Sequence, residues 1–330
     1  CSSDLPIRLV QSGPAGGVQA ATAVNKVITN NDNQGNILCF DMGGTTAKAC
    51  LVENGKPMHA NEFEVARIFR GKKGSGIPLK IPVIEMIEIG AGGGSIAHLD
   101  NLGLIQVGPE SASADPGPAC YGMGGLNATV TDADLILGYL DANNFLGGDM
   151  QLDVEASKTA VKNTIADPLE LSVVDAAWAI HETVNESMAQ AAAIHALEKA
   201  QRITDFSMIP IGGAGPVHAC NIALKLNLST LICPPGAGVA SALGFLVSPT
   251  SFTTLQGGVV SLSQLNFKTL KKQILEMEEQ GRNLITEAME SKDDVDVEIL
   301  ASMRYIGQGY NVEVEIPKSV LSSQNISEIQ

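Results

Sequence analysis

The chain has 330 residues, of which 45% are apolar and only 4% aromatic, and it carries 34 glycines. That length suits about two domains with a sizeable core, and so much glycine implies many tight turns and close backbone approaches. A formal net charge of −15 argues against nucleic acid or an anionic membrane as partner, because both need clustered Lys and Arg.

No stretch reaches the ~20 apolar residues of a membrane span, and the N-terminus lacks the basic and apolar regions of a secretory signal. A cytoplasmic enzyme or binding protein is the expectation. Six cysteines with no C-x-x-C pair read as reduced, buried thiols. The opening Cys1-Ser2-Ser3-Asp4 without Met and the polar end suggest a piece of a longer protein.

In chain order, Ser12 to Val27 reads as an N-capped helix of small residues that permits close packing. Ile37-Leu38-Cys39-Phe40 starts a strand, and Asn54-Gly55 between alternating segments signals a hairpin, so 37–66 reads as three consecutive antiparallel strands. Arg70 to Gly76 is a basic loop. Short strands follow at about 83–89 and 103–107, with a turn cluster at Asp115-Pro116-Gly117-Pro118.

Thr131-Asp132-Ala133-Asp134 resembles a capping box with Asp in place of Glu. Residues 173–200 form the longest helical pattern, with Ile180, Val184, Met188 and Ala191 on one face. A strand at 206–211 ends in Gly212-Gly213-Ala214-Gly215-Pro216, a helix follows at 217–226, a strand at 229–233, and a small-residue helix from about Gly238. Beyond Thr254 a charged helix at 267–291 precedes alternating segments at 295–305 and 310–316.

The strand that ends in Asp41-Met42-Gly43-Gly44-Thr45-Thr46 offers consecutive backbone N–H groups and hydroxyls to oxyanions beside one carboxylate. Phosphate and a hard cation suit such a turn. Gly43 and Gly44 allow close approach, Thr45 and Thr46 can donate hydroxyl bonds, and Asp41 can hold Mg²⁺ through its water shell or orient an attacking water. The turn Gly212-Gly213-Ala214-Gly215 leaves room for a flat adenine against bare backbone. The five histidines show no metal-ligand spacing: His181 and His195 on one helix would lie about 21 Å apart, and His181-Glu182 fails as H-E-x-x-H because position 185 is Asn. His218, on the first turn of a helix, is expected to pack between helices, with contact to nucleotide as the alternative.

A small-residue helix, an Asp-x-Gly-Gly-Thr hairpin, a Gly-Gly-x-Gly turn and a second small-residue helix, in that order, resemble one lobe of the actin and sugar-kinase superfamily. Within it, the strings FDMGGTTAKA, IGAGGGSIA, VGPESASADPGPACYG, TVTDADLILGYL, IGGAGPVHA, PPGAGVASALGFL and MRYIGQGY resemble the hydantoinase A and 5-oxoprolinase family, related to acetone carboxylase subunits. The chain departs from that pattern at 189–199, where Gln190-Ala191-Ala192-Ala193-Ile194-His195-Ala196 replaces an arginine-containing run.

The resemblance implies an α/β fold: an actin-like ATPase (ribonuclease H-like) nucleotide-binding lobe with a β-hairpin meander at 1–255, and the start of a C-terminal α+β region at 256–330. It implies ATP and Mg²⁺ as cofactors, with Asp41 and Thr45 catalytic, and Gly43, Gly44, Thr45, Thr46, Gly212, Gly213, Ala214 and Gly215 binding the nucleotide. Ser95 and Asp115 are candidate contacts to a small cyclic amide such as 5-oxoproline or a hydantoin, opened by phosphorylation of its carbonyl. An acetone-type carboxylase subunit and an ATP-gated binding module are the alternatives. A hydantoinase B-like second subunit or domain and an oligomeric assembly are expected as partners. Since only one of two phosphate loops is present, the isolated chain is expected not to catalyse.

Overall fold

The computed structural model describes residues 7, 10–30, 35–65, 75–288, 295–308 and 311–323. Two compact units divide it, Cys1–Ser248 and Pro249–Gln330.

The first unit is built on a five-stranded sheet. Strand β1 (Asn36–Met42) pairs with β2 (Ala47–Glu53) antiparallel and with β11 (Phe206–Ile211) parallel. The two-residue period of a strand sends alternate side chains to opposite faces. Leu38, Phe40 and Met42 of β1, with Phe206 and Met208 of β11, enter one core; Ile37 and Cys39, with Ile209 and Ile211, enter another. The sheet is therefore buried on both faces.

Helix α1 (Ser12–Ile28) covers the second face together with α6 (Ala240–Val247), contributing Val18, Ala21 and Ala240. The two helices meet backbone to backbone: a Cβ at Gly244 would overlap the Gly16 carbonyl oxygen, and one at Gly16 would lie 2.6 Å from the Ser241 carbonyl oxygen. Ser12 is the first helical residue rather than the cap, and Gln11 before it adopts the left-handed region with φ 65° and no side-chain cap bond. Val27, Leu243 and Leu246 stand exposed on these helices.

The other face is covered by α4 (Val173–Glu198) and α5 (Gly215–Lys225), with α2 (Val130–Ile136) and α3 (Val154–Val161) packed outside them. The expected stripe of α4 is present through Ile180, Val184 and Met188, each fully buried and contributing about 1.5–3 kcal/mol. It continues through Ala192 rather than the half-buried Ala191.

The third strand of the expected meander is broken. β3 (Lys56–Pro57) pairs with β2 only at Val52 and Glu53, and Pro57 has no N–H with which to extend the ladder. The remaining edge of β2 is taken by β8 (Ile87–Ile89), which pairs with Ala47 to Ala49. Residues 58–65 turn away instead: β4 (His59–Ala60) pairs with β7 (Val83–Ile84), and β5 (Phe63–Val65) with β6 (Ile77–Leu79). The basic loop expected at 70–76 lies outside the described residues apart from its last two positions.

β9 (Ser95–Leu99) and β10 (Ile105–Ser111) form a hairpin, of which the sequence revealed only the second strand. The strand expected at 229–233 is reduced to one bridge, Met208 to Leu231. Among the described cysteines, Cys39, Cys50 and Cys120 are buried as expected, whereas Cys220 and Cys233 are exposed.

In the second unit, α7 (Phe267–Ala288) places Leu270 and Ile274 against Ile316 and Val320, beside a hairpin of β12 (Leu300–Met303) and β13 (Val312–Glu315) and the short α8 (Lys318–Ser323). Leu275 and Leu284 of α7 are exposed. No helix among the described residues is long and apolar enough to cross a membrane.

Candidate functional site

Parallel pairing of β1 with β11 sets Asp41 beside Ile211. The carboxyl ends of both strands therefore open side by side into the two glycine turns, the place where open α/β sheets bind ligands.

The first turn is closed by the Gly43 N–H, which donates to the Thr46 carbonyl at 3.1 Å. Its donors left toward solvent are those of Gly44 and Thr45, both exposed. A Cβ at Gly43 or Gly44 would meet nothing within 4 Å. Lys48 donates to Thr46 Oγ1 at 2.8 Å and pairs with Glu88 at 3.4 Å, so the Thr46 hydroxyl keeps its own proton to give.

Asp41 is half-buried at the end of β1, between the two turns. Its carboxylate is hemmed by glycines: a Cβ at Gly212 would come 2.6 Å from Oδ1, and one at Gly17 would come 3.3 Å from Oδ2. Burial pushes its carboxyl above the usual range, and the Lys48 ammonium opposes that only in part.

The second turn is tied to the first. Gly212, at φ +81°, donates to the Ala237 carbonyl at 2.9 Å, and Ala214 donates to the Met42 carbonyl at 3.0 Å. A side chain at 212 would overlap Met42, so this glycine serves the approach of two backbones. Gly213 is exposed and a Cβ there would meet nothing within 4 Å, while Gly215 begins α5 and is buried.

The Gly90 to Ser95 loop braces the first turn from behind. Gly93 and Gly94 donate to the carbonyls of Gly43 and Gly44 at 3.0 and 2.6 Å, and Thr131 Oγ1 donates to Gly93 at 2.8 Å. Ser95 is fully buried, and its hydroxyl accepts from the Gly92 N–H at 2.8 Å. Asp115 is exposed and lines a cavity of about 240 Å³ with Ser111, Ser113, Gly117, Leu126 and Asn127. Gly94 separates that cavity from the first turn: a Cβ there would lie 3.0 Å from the Gly44 carbonyl oxygen and 3.2 Å from Ser111 Oγ. Ser95 and Asp115 thus do not converge; one is inside the wall of the cavity and the other on its rim.

The capping box of α2 is formed by Thr129 and Asp132, not by Thr131 and Asp134. Asp132 is consumed by structure, also accepting from the N–H groups of Ala119 and Cys120 and from Ser157 Oγ. Asp134 turns inward. His181 Nδ1 of α4 lies 2.7 Å from its Oδ1, and His218 Nε2 of α5 lies 3.1 Å from its Oδ2.

The expectation that the histidines form no cluster is therefore corrected: Asp134, His181 and His218 bring donor atoms within 4.8 Å of one another, all buried. Spacing along a single helix could not show this, since three helices supply the residues. Burial alone would raise the Asp134 carboxyl, but the attraction of His218 and the hydrogen bond from His181 outweigh it and hold the group below the usual range. The rings of His181 and His218 stack at 4.7 Å, with Tyr139 and Trp178 at 4.9 and 5.7 Å from His181.

The sequence model of a family described as hydantoinase/oxoprolinase matches residues 2–253. Caprolactamase subunit alpha of Pseudomonas jessenii is 32% identical over 327 residues, 98% of this chain and 45% of that protein. The crystal structure of the ATP-dependent caprolactamase from Pseudomonas jessenii is similar with a TM-score of 0.72 at 32% identity, over 94% of this chain and 44% of that one. The nucleotide-free structure of acetone carboxylase gives 0.67 at 29% identity, over 92% and 42%. The chain spans less than half the length of these relatives.

Proposed function

Because the chain belongs to the hydantoinase/oxoprolinase family, we propose that it is the ATP-binding part of an enzyme that opens a cyclic amide of the 5-oxoproline or hydantoin type. The observation that carries this reading is the pairing of two bare glycine turns at the ends of adjacent parallel strands, with Asp41 between them. The N–H groups of Gly44 and Thr45 and the hydroxyls of Thr45 and Thr46 would hold the phosphates, and the open face at Gly213 would take the base.

A half-buried carboxylate whose proton affinity is raised by burial gains from a nearby cation, so Asp41 fits a hydrated Mg²⁺. Bound there, the ion would neutralise charge on the phosphates during transfer. In this reading Thr45 would touch the transferring group.

An unstrained lactam is a poor electrophile. Transfer of the terminal phosphoryl group to its carbonyl oxygen, with ADP leaving, makes the carbonyl carbon open to water. Attack by one water there breaks the C–N bond, the ring nitrogen takes up a proton and leaves as an amine, and a second water hydrolyses the resulting acyl phosphate to carboxylate and phosphate. The cavity beside Gly94 is of a size for a small ring and sits one residue from the phosphate turn, which makes Asp115 and Ser111 the substrate contacts of this reading, with Ser95 supporting the wall.

The test is phosphate release by the complete protein with its partner subunit, given MgATP and, in separate arms, 5-oxoproline, a hydantoin, caprolactam, acetone with bicarbonate, or nothing. Stimulation by a cyclic amide is the expected result. Stimulation only by acetone with bicarbonate would make the chain a carboxylase subunit, the reading favoured by its likeness to acetone carboxylase. Equal release in every arm would make it an ATP-gated module.

A further inference from the structure

We propose that Asp134, His181 and His218 form a buried site for one divalent transition-metal ion of the Zn²⁺ type, which ties α2, α4 and α5 together behind the Gly212 to Gly215 turn. Two imidazole nitrogens and a carboxylate oxygen are a donor set that suits such an ion. The three residues come from three different helices, yet their donor atoms lie within 4.8 Å of one another.

The ring nitrogens that face away from the carboxylate are each held by an amide. His218 Nδ1 lies 2.8 Å from Asn185 Oδ1, and His181 Nε2 lies 2.9 Å from the Asn221 side-chain amide. At His218 that is how metal-bound imidazoles are oriented, with the outer nitrogen donating to a fixed acceptor; at His181 the Asn221 amide nitrogen faces the ring, and a turn of that amide on metal binding would bring its oxygen there as the matching acceptor. His218 Nε2 is buried and aimed at the cluster, 3.1 Å from Asp134 Oδ2, and the amide nitrogen of Asn185 behind it has no hydrogen-bond partner.

Tetrahedral ligands at 2.0–2.1 Å from an ion lie about 3.3 Å apart. The present carboxylate-to-ring separations of 2.7 and 3.1 Å open toward that value, and the two ring nitrogens, within 4.8 Å of each other, close toward it. The ion takes the place of the protons between the rings and the carboxylate, and those protons leave to solvent. Tyr139 and Trp178, beside His181, wall the site with aromatic surface.

The test measures metal content of the purified protein by mass spectrometry, then strips it with a chelator and titrates Zn²⁺ and Co²⁺. About one equivalent of bound ion, a Co²⁺ visible spectrum of tetrahedral intensity and a higher melting temperature with Zn²⁺ are expected. Asp134→Asn, which leaves His59, His98 and His195 in place, should weaken binding at least a hundredfold and abolish the melting shift. If that variant does not fold, the Co²⁺ spectrum of the parent protein decides. No stoichiometric metal and no Co²⁺ spectrum in the parent, or unchanged binding in Asp134→Asn, would overturn the proposal.

Discussion

Glycine plays two opposite parts within one unit of this molecule. At the crossing of α1 and α6, Gly16 and Gly244 are glycines because neighbouring backbone leaves no room for a Cβ, whereas a Cβ at Gly43, Gly44 or Gly213 would meet nothing within 4 Å. The first group is explained by the folded chain itself. The second is not, and in the proposed function these open positions face the nucleotide. Gly212 belongs with the first group although it sits in the second turn, because a side chain there would strike Met42 and Asp41.

The strongest way to sharpen this contrast is to leave every glycine in place and change the acid between the turns. Asp41→Asn should lower ATP turnover about a thousandfold, roughly 4 kcal/mol of transition-state stabilisation, measured as phosphate release. Burial raises the Asp41 carboxyl, so its charge opposes folding above that raised value and ceases to do so below the ordinary carboxylate range. The melting temperature of Asp41→Asn at neutral pH should therefore not fall below that of the parent, and any gain should close as the pH is lowered. A destabilised variant would assign Asp41 to structure instead.

Next comes Gly244→Ala. Its methyl group would overlap the Gly16 carbonyl oxygen, and forced separation of the two helices should cost about 3 kcal/mol, read by chemical denaturation. Stability within about 0.5 kcal/mol of the parent, the range of a neutral surface change, would break the distinction drawn above.

Gly213→Val should do the reverse. Its fold should melt unchanged while ATP affinity falls about tenfold, or 1.4 kcal/mol, in titration calorimetry on the complete protein; unchanged affinity would remove the base from this turn. Gly44→Ala, whose smaller methyl group also enters open space, should weaken ATP only about threefold. A larger loss than for Gly213→Val would shift the weight of recognition from the base to the phosphates.

Both glycine turns were legible in the sequence because each follows an apolar strand and the missing side chains are visible as letters. The small-residue helices at 12–27 and 238–246 were legible for the same reason. The broken third strand was not: Asn54-Gly55 announces a hairpin, but nothing local says that β8 will claim the rest of the β2 edge. The cap of α2 reads one frame late in the sequence, at Thr131 to Asp134 instead of Thr129 to Asp132, because both fit the same spacing rule. The choice is made by His181 and His218, which arrive from 47 residues downstream and beyond and draw Asp134 into the core. Ser95 shows the converse, a polar residue in a glycine loop whose hydroxyl turns out to be spent on its own turn.

The chain contains one tryptophan, and the structure seats it 5.7 Å from His181. All indole emission of this chain thus originates beside a single imidazole, and that imidazole faces the buried aspartate. A change of charge at the cluster, whether by proton or by ion, acts on the excited state of Trp178 without label or substitution. The protein carries its own optical reporter at the site where three helices converge.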